Sequence, residues 1–364
     1  MRIACISRAT LFSAPGGDTR QIEQTAAALR QLGVTVDIFL TSETIDYEAY
    51  DLLHFFNIIR PADMLPHIRK SRQPFVVSPV FVDYSQYEQT IARGLRSKLS
   101  RLLGADRMEW LKAVARWAKN GEQIKSRRYL IKGHRWAVRQ VAQKAAMLLP
   151  NSESELRRFE KAYNVQRPYQ VVPNGIDTGA VAAATTPNPK YKNAVLCLAR
   201  IEGLKNQLHL IQALNNTKYQ VYIHGKAAPN AAAYLEQCKA AAAANIHFGG
   251  WLDESEIYAA YAAARVHVLP SYFETTGLSS LEAAVMGCNI VVSPNGDTRD
   301  YFGEHAWYCN PNEPASIRAA VEAAFEAPYD EQFRDYILNH YTWEKAAAAT
   351  LKAYQQVLDK SIVN

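Results

Sequence analysis

Several features are missing from this 364-residue chain, and each absence excludes something. Its five cysteines (Cys5, Cys197, Cys238, Cys288, Cys309) are odd in number, widely separated and never spaced as Cys-x-x-Cys. That excludes a disulfide framework and a finger-type zinc site, and it predicts buried, reduced thiols. No stretch reaches the ~18 uninterrupted apolar residues needed to cross a bilayer. The opening Met1-Arg-Ile-Ala-Cys-Ile-Ser7 has no charged leader, apolar core or small-residue cleavage site, so no secretory signal is expected in it. No G-x-G-x-x-G follows this first apolar run, which removes the main support for a dinucleotide-dependent dehydrogenase. The charge imbalance is small, +6 from 41 basic and 35 acidic residues, and 48% of the residues are apolar. Disorder, collagen and a simple coiled coil are excluded by that composition. At ~150 residues per domain the length fits two domains.

What is present is a rhythm of strands and helices. Arg2–Ser7 reads as a strand, Arg20–Leu32 as a helix, and Val34–Leu40 and Leu52–Asn57 as further strands. The same alternation restarts at Ala194–Leu198 and continues through Gln220–His224, Ile246–Phe248, Val266–Leu269 and Ile290–Ser293. Helical patterns at Asn206–Leu214, Ala231–Ala243 and Glu254–Ala264 separate these strands. Such alternation implies right-handed crossovers and parallel sheets, hence an α/β fold of two similar halves. Pro168–Lys192, with Pro173-Asn174-Gly175 inside it, is the expected linker. The expected division is residues 1–170, 171–342 and a terminal helix over 343–364, which packs on its own half or crosses back to the first.

The modest net charge hides an uneven distribution. Arg93–Arg139 carries fourteen Lys/Arg against three acidic residues and three of the six tryptophans, which leaves the rest of the chain at −5. A solvated basic face, an anionic membrane surface and nucleic acid all compete as explanations. Tryptophan-bearing, Lys/Arg-rich amphipathic helices suit an anionic lipid surface. No nucleic-acid motif accompanies the charge, so no nucleic-acid partner is expected. The membrane reading makes Arg96, Arg101, Trp110, Trp117, Arg127 and Arg128 the membrane-facing residues.

Three loops carry candidate chemistry. Pro270-Ser-Tyr-Phe-Glu-Thr-Thr-Gly-Leu follows the strand Val266–Leu269 and feeds a helix that stops at Gly287. Backbone N–H groups of Thr276, Gly277 and Leu278 at such a helix start suit a phosphate. Glu274 and Glu282 flank the turn and can accept hydrogen bonds from sugar hydroxyls, although Ser279-x-x-Glu282 also reads as a helix capping box. After the strand Ala194–Leu198, Arg200 and Lys205 lie where doubly wound sheets bind ligands, and two cations there can neutralise a diphosphate. The paired Gly16-Gly17 between the first strand and first helix permits a tight turn aimed at a ligand, or a purely structural one.

Together these motifs resemble the retaining GT-B glycosyltransferases of family four, glycosyl transferases group 1. The residues that carry the likeness are Pro270-Ser271, the Glu274-x7-Glu282 pair with Gly277-Leu278 inside it, Gly287, Val291–Ser293, Val172-Pro-Asn-Gly-Ile-Asp177, the Arg200-x4-Lys205 pair and Gly16-Gly17. The resemblance implies two Rossmann-like domains facing a cleft, with a nucleotide-diphosphate sugar as a substrate, no cofactor and no metal. It implies that Arg200, Lys205 and Glu274 are catalytic: the two cations hold the diphosphate and Glu274 contacts the sugar. Gly17, Thr276, Gly277, Leu278 and Glu282 bind the donor, Glu282 through the ribose. The acceptor, a glycan or lipid-linked sugar at the cytoplasmic membrane face, enters from the first domain. There Asp18, Asp83 and Tyr84 are the acceptor-side candidates in place of the histidine many members carry, with His54 as an alternative. The chain departs from the family at Ala199 and Asn206, where glycine is common, and at Thr275-Thr276. A non-catalytic nucleotide- or carbohydrate-binding protein is the second reading, and a glycoside hydrolase using the two glutamates the third.

Overall fold

The computed structural model describes residues 1–82, 106–115, 126–183 and 186–362. The expected positions Asp83, Tyr84, Arg96, Arg101 and Trp117, and the side chain of Arg127, lie outside this description. The chain forms two compact units, Met1–Asn174 with Trp343–Asn364, and Gly175–Thr342.

The first unit holds strands β1 (Arg2–Ser7), β2 (Thr35–Leu40), β3 (Leu52–Phe56), β4 (Phe75–Ser78) and β5 (Met147–Leu148). They form an all-parallel sheet in the order β2-β1-β3-β4-β5. Parallel strands buried on both faces require apolar runs, and β3 (Leu-Leu-His-Phe-Phe) is buried at every position. Its single polar residue is fully paired: His54 Nδ1 lies 2.7 Å from Tyr354 Oη and Nε2 lies 2.9 Å from Ser78 Oγ. Burial pushes this imidazole down to about 3, so His54 is a neutral structural residue. Tyr354 belongs to the helix Trp343–Ile362, which packs on the helix Gly17–Gln31. The terminal helix has therefore crossed back to the first unit.

The second unit holds β6 (Val195–Leu198), β7 (Val221–His224), β8 (Ile246–Gly250), β9 (Val266–Leu269), β10 (Asn289–Val292) and β11 (Ala306–Tyr308). Their order is β11-β10-β9-β6-β7-β8, again all parallel. Alternation along β6 sends Leu196 and Leu198 into one core, with Leu281, Ile290 and Tyr301, and Val195 and Cys197 into the other, with Leu210, Val221 and Ile317. All five cysteines are buried and unbridged, as their spacing predicted.

The strand order matters for function. In the second unit the chain runs outward from β6 through β7 to β8, then returns to β9 on the other side of β6 and runs through β10 to β11. In the first unit β2 lies on one side of β1, and β3 on the other. Each reversal leaves a crevice at the carboxyl ends of two adjacent strands, where open α/β sheets bind ligands.

Candidate donor-sugar site

In the second unit the reversal falls between β6 and β9, and the two motif loops leave these strands. The loop after β6 ends in a single 3-10 turn, Gly203–Lys205, followed by Asn206 in the left-handed conformation (φ 59°, ψ 35°). Glycine and asparagine tolerate that conformation, so Asn206 fills a glycine-type position without loss of the turn. Asparagine adds something glycine cannot. Its Nδ2 donates to Pro270 O at 3.1 Å and to Pro311 O at 2.7 Å. Tyr272 N–H donates to Leu204 O at 2.9 Å, so the β6 loop is fastened to the β9 loop on both sides of Lys205.

That fastening brings Lys205 Nζ to 2.6 Å from Glu274 Oε1, across 69 residues of sequence. The side chains are 17% and 9% exposed, so the pair is largely shielded from water. Glu274 is fixed from behind as well. Its N–H donates to Asn295 O at 3.2 Å and its carbonyl accepts Asp297 N–H at 2.8 Å. Gly296 makes this possible: at φ 94° a Cβ would lie 2.0 Å from Glu274 O. The Pro294-Asn-Gly296 triplet is a recognisable turn in the sequence, but its role behind Glu274 was not predicted.

Arg200 is placed differently. Its guanidinium is about half exposed and lies 3.1 Å from Glu202 Oε1. The structure thus joins Lys205 to Glu274 and leaves Arg200 on the outer part of the same loop.

The helix after β9 is Leu278–Val285, capped by Gly277 at φ 76° and ψ 52°. A Cβ on Gly277 would meet only ordinary contacts, at 3.7 Å and beyond, so glycine is required here by the backbone angle and not by space. No side chain caps this helix. Ser279 lies inside its first turn, so the capping box with Glu282 does not form. Glu282 is half-buried on the helix, and Thr276 is buried beside Tyr301, with its hydroxyl 3.4 Å from Tyr301 Oη.

A buried histidine beneath the helix start was missed by sequence reasoning. His267 Nε2 accepts Leu198 N–H at 3.4 Å, and Nδ1 lies 3.2 Å from Ser280 Oγ. Burial pushes the ring down to about 3, so it is neutral and Nδ1–H is free to donate to Ser280. A polar residue within Val-His-Val-Leu was the available signal.

In the first unit the reversal lies between β1 and β3. Gly16 is the N-cap of the helix Gly17–Gln31, and its N–H donates to Thr19 Oγ1 at 3.0 Å. A Cβ on Gly17 would meet no protein atom within 4 Å. Asp18 is clasped by Arg8 through Nε–Oδ2 at 2.6 Å and Nη2–Oδ1 at 2.9 Å, and it accepts Asn57 Nδ2 at 3.1 Å. Burial alone would raise its carboxyl, but the Arg8 guanidinium and the Asn57 amide hold it below the ordinary carboxylate range.

In the basic segment, residues 106–115 and Arg127–Lys144 are helical, the second stretch broken in two at Gly133 (φ 79°, ψ 179°). Trp110, expected to face a membrane, is half-buried and packs against the cluster of Ala62, Tyr129 and Ala137. The apolar side chains that project outward are Leu111, Leu130 and Ile131, the last 83% exposed. Arg128 and Lys132 are exposed on the same helical piece as Ile131, and Arg135 is exposed just past the break at Gly133. No described helix is long and apolar enough to cross a membrane. Among the described residues no cluster of three His, Cys, Asp or Glu side chains is placed to hold a metal ion.

Comparison with known proteins agrees with this geometry. The family of glycosyl transferases group 1 matches residues 182–343. A glycogen synthase of Mycobacterium tuberculosis is 32% identical over 114 residues, which is 29% of this chain and 28% of that protein. The matched part therefore spans under a third of that relative's length. An O-antigen chain mannosyltransferase B of Escherichia coli is 26% identical over 117 residues, 30% of either chain. Among solved structures, sucrose-phosphate synthase from Thermosynechococcus elongatus superposes with a TM-score of 0.73 at 16% identity, covering 99% of this chain and 100% of that one. Anabaena HepE in complex with UDP-glucose superposes with a TM-score of 0.64 at 16% identity over 100% of both. At such identities the structural likeness is one of fold. Residues 182–343 thus match the glycosyl transferases group 1 family, within a chain of GT-B fold.

Proposed function

We propose that this chain is a retaining glycosyltransferase that moves a sugar from a nucleotide-diphosphate donor to a glycan or lipid-linked acceptor at the cytoplasmic membrane face. The observation that carries the reading is the meeting of Lys205 and Glu274 at the sheet reversal, beside the uncapped start of the helix Leu278–Val285. An uncapped helix start offers free N–H groups and the positive end of the helix dipole to a diphosphate. Lys205 supplies a point charge there, and Arg200, on the exposed part of the loop, a planar fork. As the anomeric bond breaks, negative charge grows on the leaving diphosphate, and these fixed donors are worth most at that moment. Glu274, when the diphosphate draws Lys205 away, is free to accept from a sugar hydroxyl, and Glu282 is assigned to the ribose. Arg200, Lys205, Glu274, Gly277 and the N–H groups of Thr276 and Leu278 form the working set, with no metal in it. In the first unit Gly17 leaves backbone open to the donor, and Asp18, on the acceptor side, acts by holding the Arg8–Gly16 loop.

The relative whose name refers to O-antigen chains supports a glycan acceptor, and the neighbour crystallised with UDP-glucose supports a nucleotide-sugar donor. Exposed Ile131 and Leu130 among Arg128, Lys132 and Arg135 support an anionic membrane surface, each cation near it adding about 1 kcal/mol. The test is a thermal-shift screen against UDP-, GDP-, ADP- and dTDP-sugars, followed by turnover with the stabilising donor and NMR of the product anomer. Release of the nucleotide diphosphate with the donor's anomeric configuration kept is expected. Binding without turnover for every acceptor would leave a binding protein, and an inverted product would refute the retaining mechanism.

A further inference from the structure

Away from the sheet reversals, the first unit contains a pocket of about 390 Å³ between the helices Pro61–Lys70 and Arg127–Lys144. Its wall divides by chemistry. Leu65, Pro66, Ile68 and Trp136 form an apolar side, and Arg69, Arg128 and Lys144 bring three cations, with Ser126 and Gln140 between them. No carboxylate lines it among the described residues. None of the three cations makes an ion pair with any described residue, whereas Arg135 and Lys112, close by in sequence, are paired with Asp106 and Glu109.

Two of these cations sit where helix electrostatics welcomes them, since Arg69 and Lys144 lie in the last turns of their helices. Arg128 does not. It lies at the start of the segment Arg127–Lys144, in a short helical piece that ends at Gly133, and its turn holds no acidic residue to offset it. Three like charges converging on one pocket repel each other unless an anion lies between them. The apolar side, with the Trp136 ring, then offers a surface to whatever the anion is attached to.

We infer that this pocket binds a phosphate-bearing ligand, its phosphate held by Arg69, Arg128 and Lys144 and its attached ring or glyceryl portion lying against Trp136, Ile68 and Leu65. Such a phosphate comes either from a soluble sugar phosphate or from the headgroup of an anionic phospholipid. The pocket lies wholly in the first unit, and the inference stands independently of the donor assignment.

The test separates the two sources. For the soluble arm, the protein is labelled with 5-fluorotryptophan, the Trp136 resonance is assigned by its loss in Trp136→Phe, and glucose 1-phosphate is titrated. For the lipid arm, co-sedimentation is measured with phosphatidylglycerol–phosphatidylcholine vesicles and with phosphatidylcholine alone. A saturable shift of the Trp136 resonance, or binding specific to the anionic vesicles, is expected. Whichever arm responds identifies the source. In Arg69→Gln/Lys144→Gln, both side chains being exposed, the responding affinity should fall about 30-fold, the loss expected for two cations beside an anionic ligand. Lys205→Ala should leave the Trp136 response intact, so a failure here is distinct from a failure of the donor site. An absent response in both arms, or one of equal strength in the double variant, would overturn the inference.

Discussion

The contact between Lys205 and Glu274 permits a prediction with a worked magnitude. Lys205→Ala removes an ammonium 2.6 Å from a carboxylate, in a pair whose side chains are 17% and 9% exposed. Breaking a fully buried pair from one side costs about 3–5 kcal/mol, and the residual exposure here lowers the expected loss to about 2 kcal/mol. For a cooperative unit the size of Gly175–Thr342 that corresponds to a fall in Tm of about 4–8 °C. The same change removes a charge-assisted contact to a bound diphosphate, worth about 1.5–3 kcal/mol, or roughly a 10- to 100-fold rise in Kd. The two effects separate in Lys205→Ala/Glu274→Gln, where no stranded carboxylate remains. Most of the lost Tm should return in the double variant, but donor affinity should not. Differential scanning fluorimetry and calorimetric titration with the nucleotide diphosphate measure both. Affinity restored together with stability would mean that Lys205 only neutralises Glu274 and does not touch the donor, and that would refute the assignment.

The two glycines of the site should differ in cost. Gly296→Ala forces a Cβ against the Glu274 carbonyl and should destabilise by more than about 3 kcal/mol, while Gly277→Ala meets only ordinary contacts and should cost about 1 kcal/mol from its backbone angle alone; urea unfolding compares them. Stability should also depend on pH through His54 and His267, both pushed down to about 3 by burial. Below ~6.5 the unfolded chain takes up a proton on each ring that the folded chain refuses, so stability falls as pH drops, by up to about 1.4 kcal/mol per unit per ring. Denaturant midpoints between pH 7.5 and 4.5 should show this slope, and His54→Gln should lessen it; an unchanged slope would contradict a neutral buried His54. Asp18→Asn should remove about 2 kcal/mol at neutral pH, where the Arg8 clasp is intact, and nothing at a pH low enough to protonate Asp18 in the folded chain. The sign follows from a depressed carboxyl, whose stabilisation is complete above ~3.9 and lost as pH falls through the folded value.

Much of this architecture is written locally. β1 and β9 fall on the residues their apolar runs indicated, because a parallel strand buried on both faces leaves a mostly apolar run. The helix Pro61–Lys70 and the two-residue strand Met147–Leu148 were not evident. The first carries Pro66 in its interior, and the second is too short for any periodicity to register. The site was legible as four motifs but not as a geometry. Glu274 next to Lys205 depends on hydrogen bonds from Asn206 and Tyr272 that span about 60 residues or more, and nothing in either motif announces the other. Charge counting located the basic segment but not its orientation. Trp110 packs partly buried against the cluster that holds Tyr129, whereas Ile131 faces outward.

The return of the chain from Thr342 into the first unit sets an order of assembly on the ribosome. Residues 1–174 emerge first, yet Trp343, Ala346, Ala347, Ala353, Tyr354 and Val357 are buried within the unit they begin. At about 5–20 residues per second, roughly ten to forty seconds of synthesis separate the two parts. During that interval the face of the helix Gly17–Gln31 stays bare and His54 lacks its tyrosine. Gly175–Thr342 carries its whole core in one continuous stretch, so the unit made second is the first able to finish. A chain truncated before Trp343 therefore presents a completed second unit and an unfinished first one, and apolar surface that attracts chaperones belongs to the older half.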